Sequence, residues 1–350
     1  MAIDYQWYPG HMTKARRMMQ DNIKLVDLVI EIIDARVPLS SRNPDIDSLA
    51  AGKARIVIMG KEDLADPQTE DGFRKYFEGK GITVIAIDSR EKKAAEKIKK
   101  AVLSACREKI ERDRKRGIIG RPIRAMVCGI PNVGKSTLIN SLAGRSSAKT
   151  GNKPGVTKGK QWITVRLAGA EKKPPRGAYA PGNPLGVNQG QQMDLLDTPG
   201  ILWPRFEDQE IGIRLAIVGS IRDEILDEQE LALRLLRYLI ARYPQLLERR
   251  YGTPENPLGI ENNPSCGEGS KDPQGVAESA DGDVRMSGVT NYGEKELYEI
   301  LLKIAQNRRL ITKGEALDTK RTAHIILDDF RNGRIGRITL DEVPDDTKSQ

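Results

Sequence analysis

The chain has 350 residues and a formal net charge of +8, with 38% hydrophobic and 30% charged residues. This composition is typical of a globular protein with a well-solvated surface, and the length suffices for one medium domain and a smaller one. No apolar run approaches the roughly 20 residues of a membrane helix, and the first residues lack the pattern of a signal or transit peptide. We therefore expect a cytoplasmic protein that does not enter a membrane.

Cysteine, histidine and basic residues narrow the function classes further. The three cysteines and two histidines are widely spaced, which disfavours a disulfide framework and a zinc site. The pI of about 9.2 indicates either a polyanionic partner such as nucleic acid or solubility alone. The basic stretches that fit an RNA partner are residues 1–20, Arg112–Arg116, Arg234–Arg250, Lys320–Arg321 and Arg331–Arg337.

Strand and helix patterns alternate over the first 200 or so residues. The predicted strands are Leu25–Ile33, Arg55–Met59, Thr83–Ile87, Ile123–Cys128, Gln161–Leu167 and Met193–Leu196. Helical patterns include a short basic helix within residues 1–20 and a longer one over 91–115. This alternation predicts a mostly parallel sheet covered on both faces. A stretch rich in Gly and Pro at about 169–192 predicts a long hairpin loop between the last two strands.

After about residue 207 the pattern changes to helices alone. The predicted helices cover 208–219, 224–241, 293–306 and 315–330. A polar stretch at about 253–290 predicts an insertion that forms no packed core. The predicted organisation is therefore a basic N-terminal segment (1–20), an α/β domain (21–206), a small all-α domain (207–340) and a tail (341–350).

The sequence Gly129–Thr137, GIPNVGKST, fits the phosphate-binding loop GxxxxGK[ST]. A predicted strand leads into it and a helical segment leads out, as the motif requires. Glycines let the backbone amides and the helix N-terminus face the phosphates. We expect Lys135 to neutralise the β- and γ-phosphates and Ser136 to ligate Mg²⁺. The expected nucleotide-binding residues of the loop are Asn132, Val133, Gly134, Lys135, Ser136 and Thr137.

Two downstream elements extend this site to the γ-phosphate. The sequence Asp197–Gly200, DTPG, follows a predicted strand. We expect the Asp197 carboxylate to hold Mg²⁺ through water and the Gly200 amide to contact the γ-phosphate. Thr157 lies between the two motifs, and we expect it to close on Mg²⁺ and the γ-phosphate.

The sequence Gly60–Asp63, GKED, follows a predicted strand and resembles the [NT]KxD element of GTPases. Asp63 would accept two hydrogen bonds from guanine that adenine cannot supply. Lys61 would pack along the base or the phosphate loop. Gly60 replaces the usual Asn or Thr, which removes a bracing hydrogen bond typically worth ~0.5–1.5 kcal/mol. The expected base-binding residues are Gly60, Lys61, Glu62 and Asp63, with Asp88 and Ser89 after the next strand.

The base element precedes the phosphate loop, whereas ordinary GTPases have the reverse order. We therefore expect a circularly permuted P-loop GTPase domain followed by a small all-α domain. Further matching segments are Trp7–Met12, Ile33–Pro38, Ser41–Pro44, Asn152–Gly159 and Asp329–Arg337. On these residues the chain resembles the ribosome biogenesis GTPase A family of bacterial circularly permuted GTPases. The resemblance implies that the protein acts late in the assembly of the large ribosomal subunit, binds its rRNA, and hydrolyses GTP to GDP with stimulation by the ribosomal particle. We expect the protein to be a monomer.

The sequence also bears on how hydrolysis is catalysed. Ile201 stands where many GTPases have a water-orienting glutamine, so a partner should supply the missing help, which can reach ~10⁵-fold. The resemblance points to His11 as a catalytic residue beside Lys135 and Thr157, although His11 equally fits a contact with RNA or solvent. Asn132 resembles a residue that recruits K⁺ in related GTPases, or it simply forms a turn.

Three alternatives stay open. Gly60 permits an ATP-hydrolysing or base-tolerant enzyme. Ile201 permits an RNA-binding assembly scaffold that uses GTP as a structural ligand. A permuted GTPase of small-subunit assembly is disfavoured, because such proteins usually carry an RNA-binding barrel or a zinc module and this chain has no Cys/His cluster.

Overall fold

The computed structural model describes residues 12–88, 93–118, 120–144, 161–167, 191–198, 209–221, 227–260 and 292–344. The chain divides into two compact units, of which one comprises Met1–Arg222 with Thr339–Gln350 and the other Asp223–Ile338. The two predicted insertions, at about 169–192 and 253–290, lie largely outside the described residues.

A six-stranded sheet with the order β3-β2-β1-β4-β6-β5 forms the centre of the first unit. Neighbouring strands are parallel except β5 and β6, which form the predicted antiparallel hairpin. The strands are β1 (Leu28–Asp34), β2 (Ala54–Gly60), β3 (Thr83–Ile87), β4 (Ile123–Gly129), β5 (Gln161–Arg166) and β6 (Gln192–Asp197). Every residue of β1 is buried, as expected for a central strand covered on both faces.

Helices pack on both faces of this sheet. They are α1 (Met12–Ile23), α2 (Ile46–Leu49), α3 (Pro67–Gly79), α4 (Ala94–Ala105), α5 (Arg107–Lys115), α6 (Lys135–Ala143) and α7 (Gln209–Ile217). Met19 of α1 packs with Val29, and Phe73 of α3 packs with Ile33. Val29 and Ile33 share one face of β1, because alternate residues of a strand point the same way. α4 contacts β2 and β3. It lies on the face opposite α1 and α3, because the connection from β3 to β4 runs back across the sheet.

Three local features differ from the sequence-based prediction. β1 begins at Leu28 rather than Leu25, because the Leu25 and Val26 amides donate to the carbonyls of Asn22 and Ile23 and so continue the turn after α1. The helix predicted over 91–115 is two helices that meet at Cys106. α3 was not assigned separately, although the Asp66 side chain caps it by accepting from the Gln68 amide.

In its described part, the second unit contains helices and no β-strand. They are α8 (Glu228–Arg242), α9 (Pro244–Tyr251), α10 (Glu294–Asn307) and α11 (Thr319–Arg331). Leu235, Leu301 and Leu327 are buried in its core. A buried carboxylate, Asp329, accepts hydrogen bonds from the Arg250 guanidinium and the Tyr251 hydroxyl. No helix in the described part of the chain is long and apolar enough to cross a membrane.

The division into units differs from the predicted domains at both ends of the helical unit. α7 was predicted to begin the all-α domain, but it belongs to the sheet unit, where its Leu215 and Ile217 are buried. The segment Thr339–Val343 also belongs to the sheet unit. It is in part a packed element rather than a tail, because the Leu340 amide donates to the Arg36 carbonyl at 2.7 Å and Asp341 is buried.

Candidate nucleotide site

The parallel strands bring the predicted motifs to one edge of the sheet. Register pairs Asp34 of β1 with Gly60 of β2, and Gly60 in turn with Ile87 of β3. On the other side of β1, Val127 of β4 pairs with Asp197 of β6. The connections reverse direction between β1 and β4. Open α/β sheets bind ligands at such a switch point, beyond the carboxyl ends of the strands.

The connection from β4 to α6 has a backbone path that requires glycine. Gly129 has a φ of +153°, and a Cβ at this position would lie 2.4 Å from the Ile32 carbonyl oxygen. Gly134, directly before α6, has a φ of +99°. Asn132 also adopts a positive φ, of 59°, which Asn tolerates better than most residues. The loop therefore reaches the N-terminus of α6 in the shape of a phosphate-binding loop.

Lys135 is buried at the start of α6. Its Nζ donates to the carbonyl oxygens of Gly129 at 3.1 Å and Ile130 at 2.8 Å. Burial lowers the pKa of Lys135 to about 8, and the charge of Asp197 partly offsets that shift. Because a phosphate favours the protonated amine, an anion bound in the loop would raise this pKa again.

Asp197 ends β6 as a buried carboxylate beside this lysine. Burial raises the pKa of Asp197, and Lys135 opposes the rise. Its Oδ1 atom has no hydrogen-bond partner among the described residues. The next residue is fixed, because the Thr198 hydroxyl donates to the Val127 carbonyl at 2.7 Å. Mg²⁺ prefers oxygen ligands, so this carboxylate oxygen and the half-buried Ser136 hydroxyl fit a magnesium ion.

The predicted base element leaves β2 by a left-handed turn. Lys61 has a φ of 61°, and Asp63 lies in the short 3₁₀ helix Glu62–Leu64 that follows. A Cβ at Gly60 would lie 3.4 Å from the Val133 carbonyl oxygen. The base element and the phosphate loop are therefore adjacent. Asp88 follows β3 at the same edge and is half-buried.

Lys61 is held by Asp34, a residue to which the sequence pattern assigned no role. The Lys61 Nζ donates to Asp34 Oδ2 at 2.8 Å. The Arg36 guanidinium donates to both oxygens of Asp34, with Nε at 2.9 Å and Nη2 at 2.8 Å. Burial alone would raise the pKa of Asp34, but Arg36 and Lys61 together hold it well below its ordinary range. The sequence feature that could have indicated this cluster is the pair Asp34-x-Arg36 directly after an apolar strand.

The remaining predicted site residues lie outside the described residues. They are His11, Ser89, Thr157 and Gly200.

If the phosphates of a nucleotide lie in the β4–α6 loop, its base would lie against Lys61–Asp63, because that element adjoins Val133. On a sheet whose base element precedes its phosphate loop along the chain, this arrangement defines a circularly permuted P-loop GTPase. Residues 124–241 match the family model described as "50S ribosome-binding GTPase".

Known relatives extend this match to almost the whole chain. Ribosome biogenesis GTPase A of Bacillus cereus is 37% identical over 345 residues, which cover 99% of this chain and 96% of that relative. The protein of the same name from Priestia megaterium is 37% identical over 338 residues, or 96% of each chain. The crystal structure of GNP-bound YlqF from T. maritima has a TM-score of 0.54 at 23% identity, covering 95% of this chain and 99% of its own, and supports the fold. The chain therefore belongs to the ribosome biogenesis GTPase A family and is a GTPase.

Proposed function

We propose that this chain is a GTP-hydrolysing assembly factor in late maturation of the large ribosomal subunit, and that the ribosomal particle stimulates its hydrolysis. The similarity to ribosome biogenesis GTPase A relatives carries this proposal, because it spans 99% of the chain and so includes the helical unit outside the GTPase motifs. The related "Mitochondrial ribosome-associated GTPase 1" of Mus musculus is 35% identical over 248 residues. The protein would act as a monomer in the cytoplasm.

The phosphate end of the site would bind the β- and γ-phosphates. Lys135 would exchange the carbonyl oxygens of its own loop for phosphate oxygens. Ser136 would hold Mg²⁺ directly and Asp197 through water, and Thr157 would be a further ligand. When bound, magnesium neutralises charge on the β- and γ-phosphates. The Gly200 amide would contact the γ-phosphate.

The base end would select guanine. Asp63 would accept hydrogen bonds from N1 and the exocyclic amine of guanine, and adenine has no donors at the matching positions. Lys61, fixed by Asp34, would lie along the base. Asp88 and Ser89 would add a backbone contact, and Glu62 would line the same turn.

The water-positioning group would come from outside the GTPase motifs of the sheet. Ile201 has no polar atom with which to orient water. We propose that His11 does so when the particle is bound, since a neutral imidazole can accept a proton from water. The amide of Asn132 is anchored, because its Nδ2 donates to the Gly219 carbonyl at 2.8 Å. Its oxygen is the atom that we propose holds K⁺.

We propose α5 and the residues after it as the main rRNA-binding surface. Arg112, Arg114, Lys115 and Arg116 are exposed there. Two acidic residues of the helix, Glu111 and Asp113, form ion pairs with Arg107 and Lys109. Lys109 also lies 3.6 Å from Asp27, which directly precedes β1. The surface is therefore near the sheet edge opposite the phosphate loop.

Other predicted basic stretches have internal partners. Arg250 bonds Asp329 at 2.8 Å within the helical unit, and Arg334 bonds the same carboxylate at 3.2 Å. These two arginines stabilise the helical unit, so they are weaker candidates for contacts with rRNA than the exposed cations of α5.

The test is GTP turnover in K⁺ buffer with increasing concentrations of purified large ribosomal subunits. We expect saturable stimulation of at least about 100-fold, given the scale of partner-assisted GTP hydrolysis. His11→Ala should abolish the stimulated turnover, and replacing K⁺ by Na⁺ should lower it. Tight GTP binding without any stimulation would instead indicate the RNA-binding scaffold.

A charge-reversal variant tests the α5 surface in the same assay. Arg114→Glu combined with Lys115→Glu should raise the particle concentration needed for half-maximal stimulation, because it removes contacts with phosphates. Arg74→Glu combined with Lys75→Glu on α3 is the matched control, since it makes the same change of charge at two exposed residues elsewhere on the sheet unit. Equal effects of both changes would argue against α5 as the contact surface.

A further inference from the structure

A chain of buried contacts connects the base element to the phosphate loop. It starts with Lys61, which bonds Asp34, and continues through the Arg36 guanidinium that grips both oxygens of Asp34. The Arg36 Nη2 atom also donates to the Val218 carbonyl at 3.5 Å. The neighbouring Gly219 carbonyl accepts from Asn132 of the phosphate loop at 2.8 Å. The turn after α7 therefore contacts Asn132 of the phosphate loop directly, and it contacts the base element indirectly, through Arg36 and Asp34.

The C-terminal segment Thr339–Val343 also contacts Arg36, at its backbone. The Leu340 amide donates to the Arg36 carbonyl at 2.7 Å. Asp341 is only 1% exposed, and its carboxylate accepts from the amides of Leu39 and Ser40, each at 2.8 Å. It also accepts from the Ser40 hydroxyl at 2.6 Å.

Asp341 is bound to α7 as well. The Arg214 guanidinium donates to its Oδ1 at 3.0 Å, within the sheet unit. One carboxylate thus fixes both the loop after β1, which carries Arg36, and the helix whose following turn contacts Arg36 and Asn132. Hydrogen bonds to an ionised group are about twice as strong as neutral ones, so this carboxylate is well suited to hold two elements in one arrangement.

We propose that Asp341 is a positioning residue of the nucleotide site, which acts through Arg36 and Asp34 to hold Lys61 against the guanine base. The proposal rests on GTP binding by this family but not on any action at the ribosome. The proposal gives the C-terminal segment a specific effect on guanine nucleotide affinity, although Asp341 lies about 280 residues from Lys61 along the chain.

The test measures GDP affinity and GDP release of the full chain without ribosomal particles. Asp341→Asn keeps the size of the side chain but replaces one acceptor oxygen by an amide donor that faces other donors, so we expect about tenfold weaker GDP binding with faster release. The matched control is Asp329→Asn, which alters an equally buried carboxylate with arginine and tyrosine donors in the helical unit. It should leave GDP affinity unchanged.

A second comparison separates positioning from general destabilisation. In a Lys61→Ala background, Asp341→Asn should lose most of its effect on GDP affinity, because the residue through which it acts is gone. The same tenfold loss in both backgrounds would contradict the proposal, as would wild-type GDP affinity in Asp341→Asn.

If Asp341→Asn does not fold, Ser40→Ala removes one donor to Asp341 and should weaken GDP binding by about two- to fivefold. Unchanged GDP affinity in Ser40→Ala would then overturn the proposal. Absent ribosomal stimulation would overturn only the proposed function, since these measurements involve no particle.

Discussion

The phosphate end and the base end of the nucleotide site are built in different ways. At the phosphate end, a few consecutive residues supply the glycine-dependent path, the buried Lys135 and the loop carbonyls that hold it. At the base end, Gly60 contributes no side chain, and Lys61 is held by Asp34 from another strand. A local motif thus forms the proposed phosphate end, whereas long-range contacts arrange the proposed base end.

The largest effect should come from changing the base contact itself. Asp63→Asn replaces one acceptor position by a donor that faces the donors of guanine, so we expect GDP affinity to fall by about 10²–10⁴-fold. Xanthine carries an oxygen where guanine has its amine, so xanthosine diphosphate should bind the variant better than the parent. Competition among GDP, xanthosine diphosphate and ADP measures both changes.

The exposed carboxylate of Asp71 on α3 supplies the control, and Asp71→Asn should bind GDP as the parent does. Parent-like GDP affinity in Asp63→Asn would remove Asp63 from the base pocket. Comparable affinities of the parent for GDP and ADP would favour the base-tolerant enzyme.

GDP affinity should depend on pH through the phosphate end of the site and not through the base end. The pKa of Lys135 is lowered to about 8 by burial, and bound phosphate raises it, so binding takes up a proton wherever Lys135 is partly deprotonated. GDP affinity should therefore be constant well below pH 8 and fall above it, by at most about tenfold per pH unit. Calorimetric titrations between pH 6.5 and 9 in buffers of differing ionisation enthalpy would measure the affinity and the proton uptake together.

Lys135→Arg should bind GDP with little dependence on pH over this range, because a guanidinium stays protonated. A parent protein whose GDP affinity does not change up to pH 9 would show that Lys135 is not the titrating group.

The smallest effect should come from adding a hydrogen bond between the base element and the phosphate loop. A Cβ at Gly60 meets the Val133 carbonyl at an ordinary contact distance of 3.4 Å, so Gly60→Asn places an amide within reach of the phosphate loop. We expect GDP to bind about 2- to 10-fold more tightly, the worth of one net hydrogen bond. Equilibrium binding of a fluorescent GDP analogue suffices as the measurement. Gly60→Ala fills the same space without an amide, and an equal gain in that variant would count against the bracing bond.

The permuted, mostly parallel sheet could be predicted from the sequence because its motifs are contiguous stretches of residues. The phosphate loop has a fixed spacing between flanking elements, and the base element precedes it, so the permuted sheet followed and is confirmed. The amphipathic pattern of α7 predicted a helix but could not say which unit buries Leu215 and Ile217. A helical period specifies a buried face, not the surface against which that face packs.

The contacts that organise the base end could not be predicted from one sequence. Asp34 ends β1 and Lys61 directly follows β2, so their pairing depends on the register of β1 with β2. Asp341 belongs to a short segment without helical or strand periodicity, so it was assigned to a tail. Its role depends on buried amides of Leu39 and Ser40, which carry no sequence signal because every residue except proline has an amide.

Arg36 contacts the sheet unit just before the chain leaves that unit and again just after the chain returns to it. Its guanidinium lies 3.5 Å from the Val218 carbonyl on the outgoing side, and its own carbonyl accepts from the Leu340 amide on the returning side. The helical unit is thus a module spliced into the GTPase rather than appended to it. A fragment cut at residue 222 would strip the acceptor from the Leu39 and Ser40 amides. A short bridge in place of 223–338 would keep that acceptor and yield a GTPase core that can be studied alone.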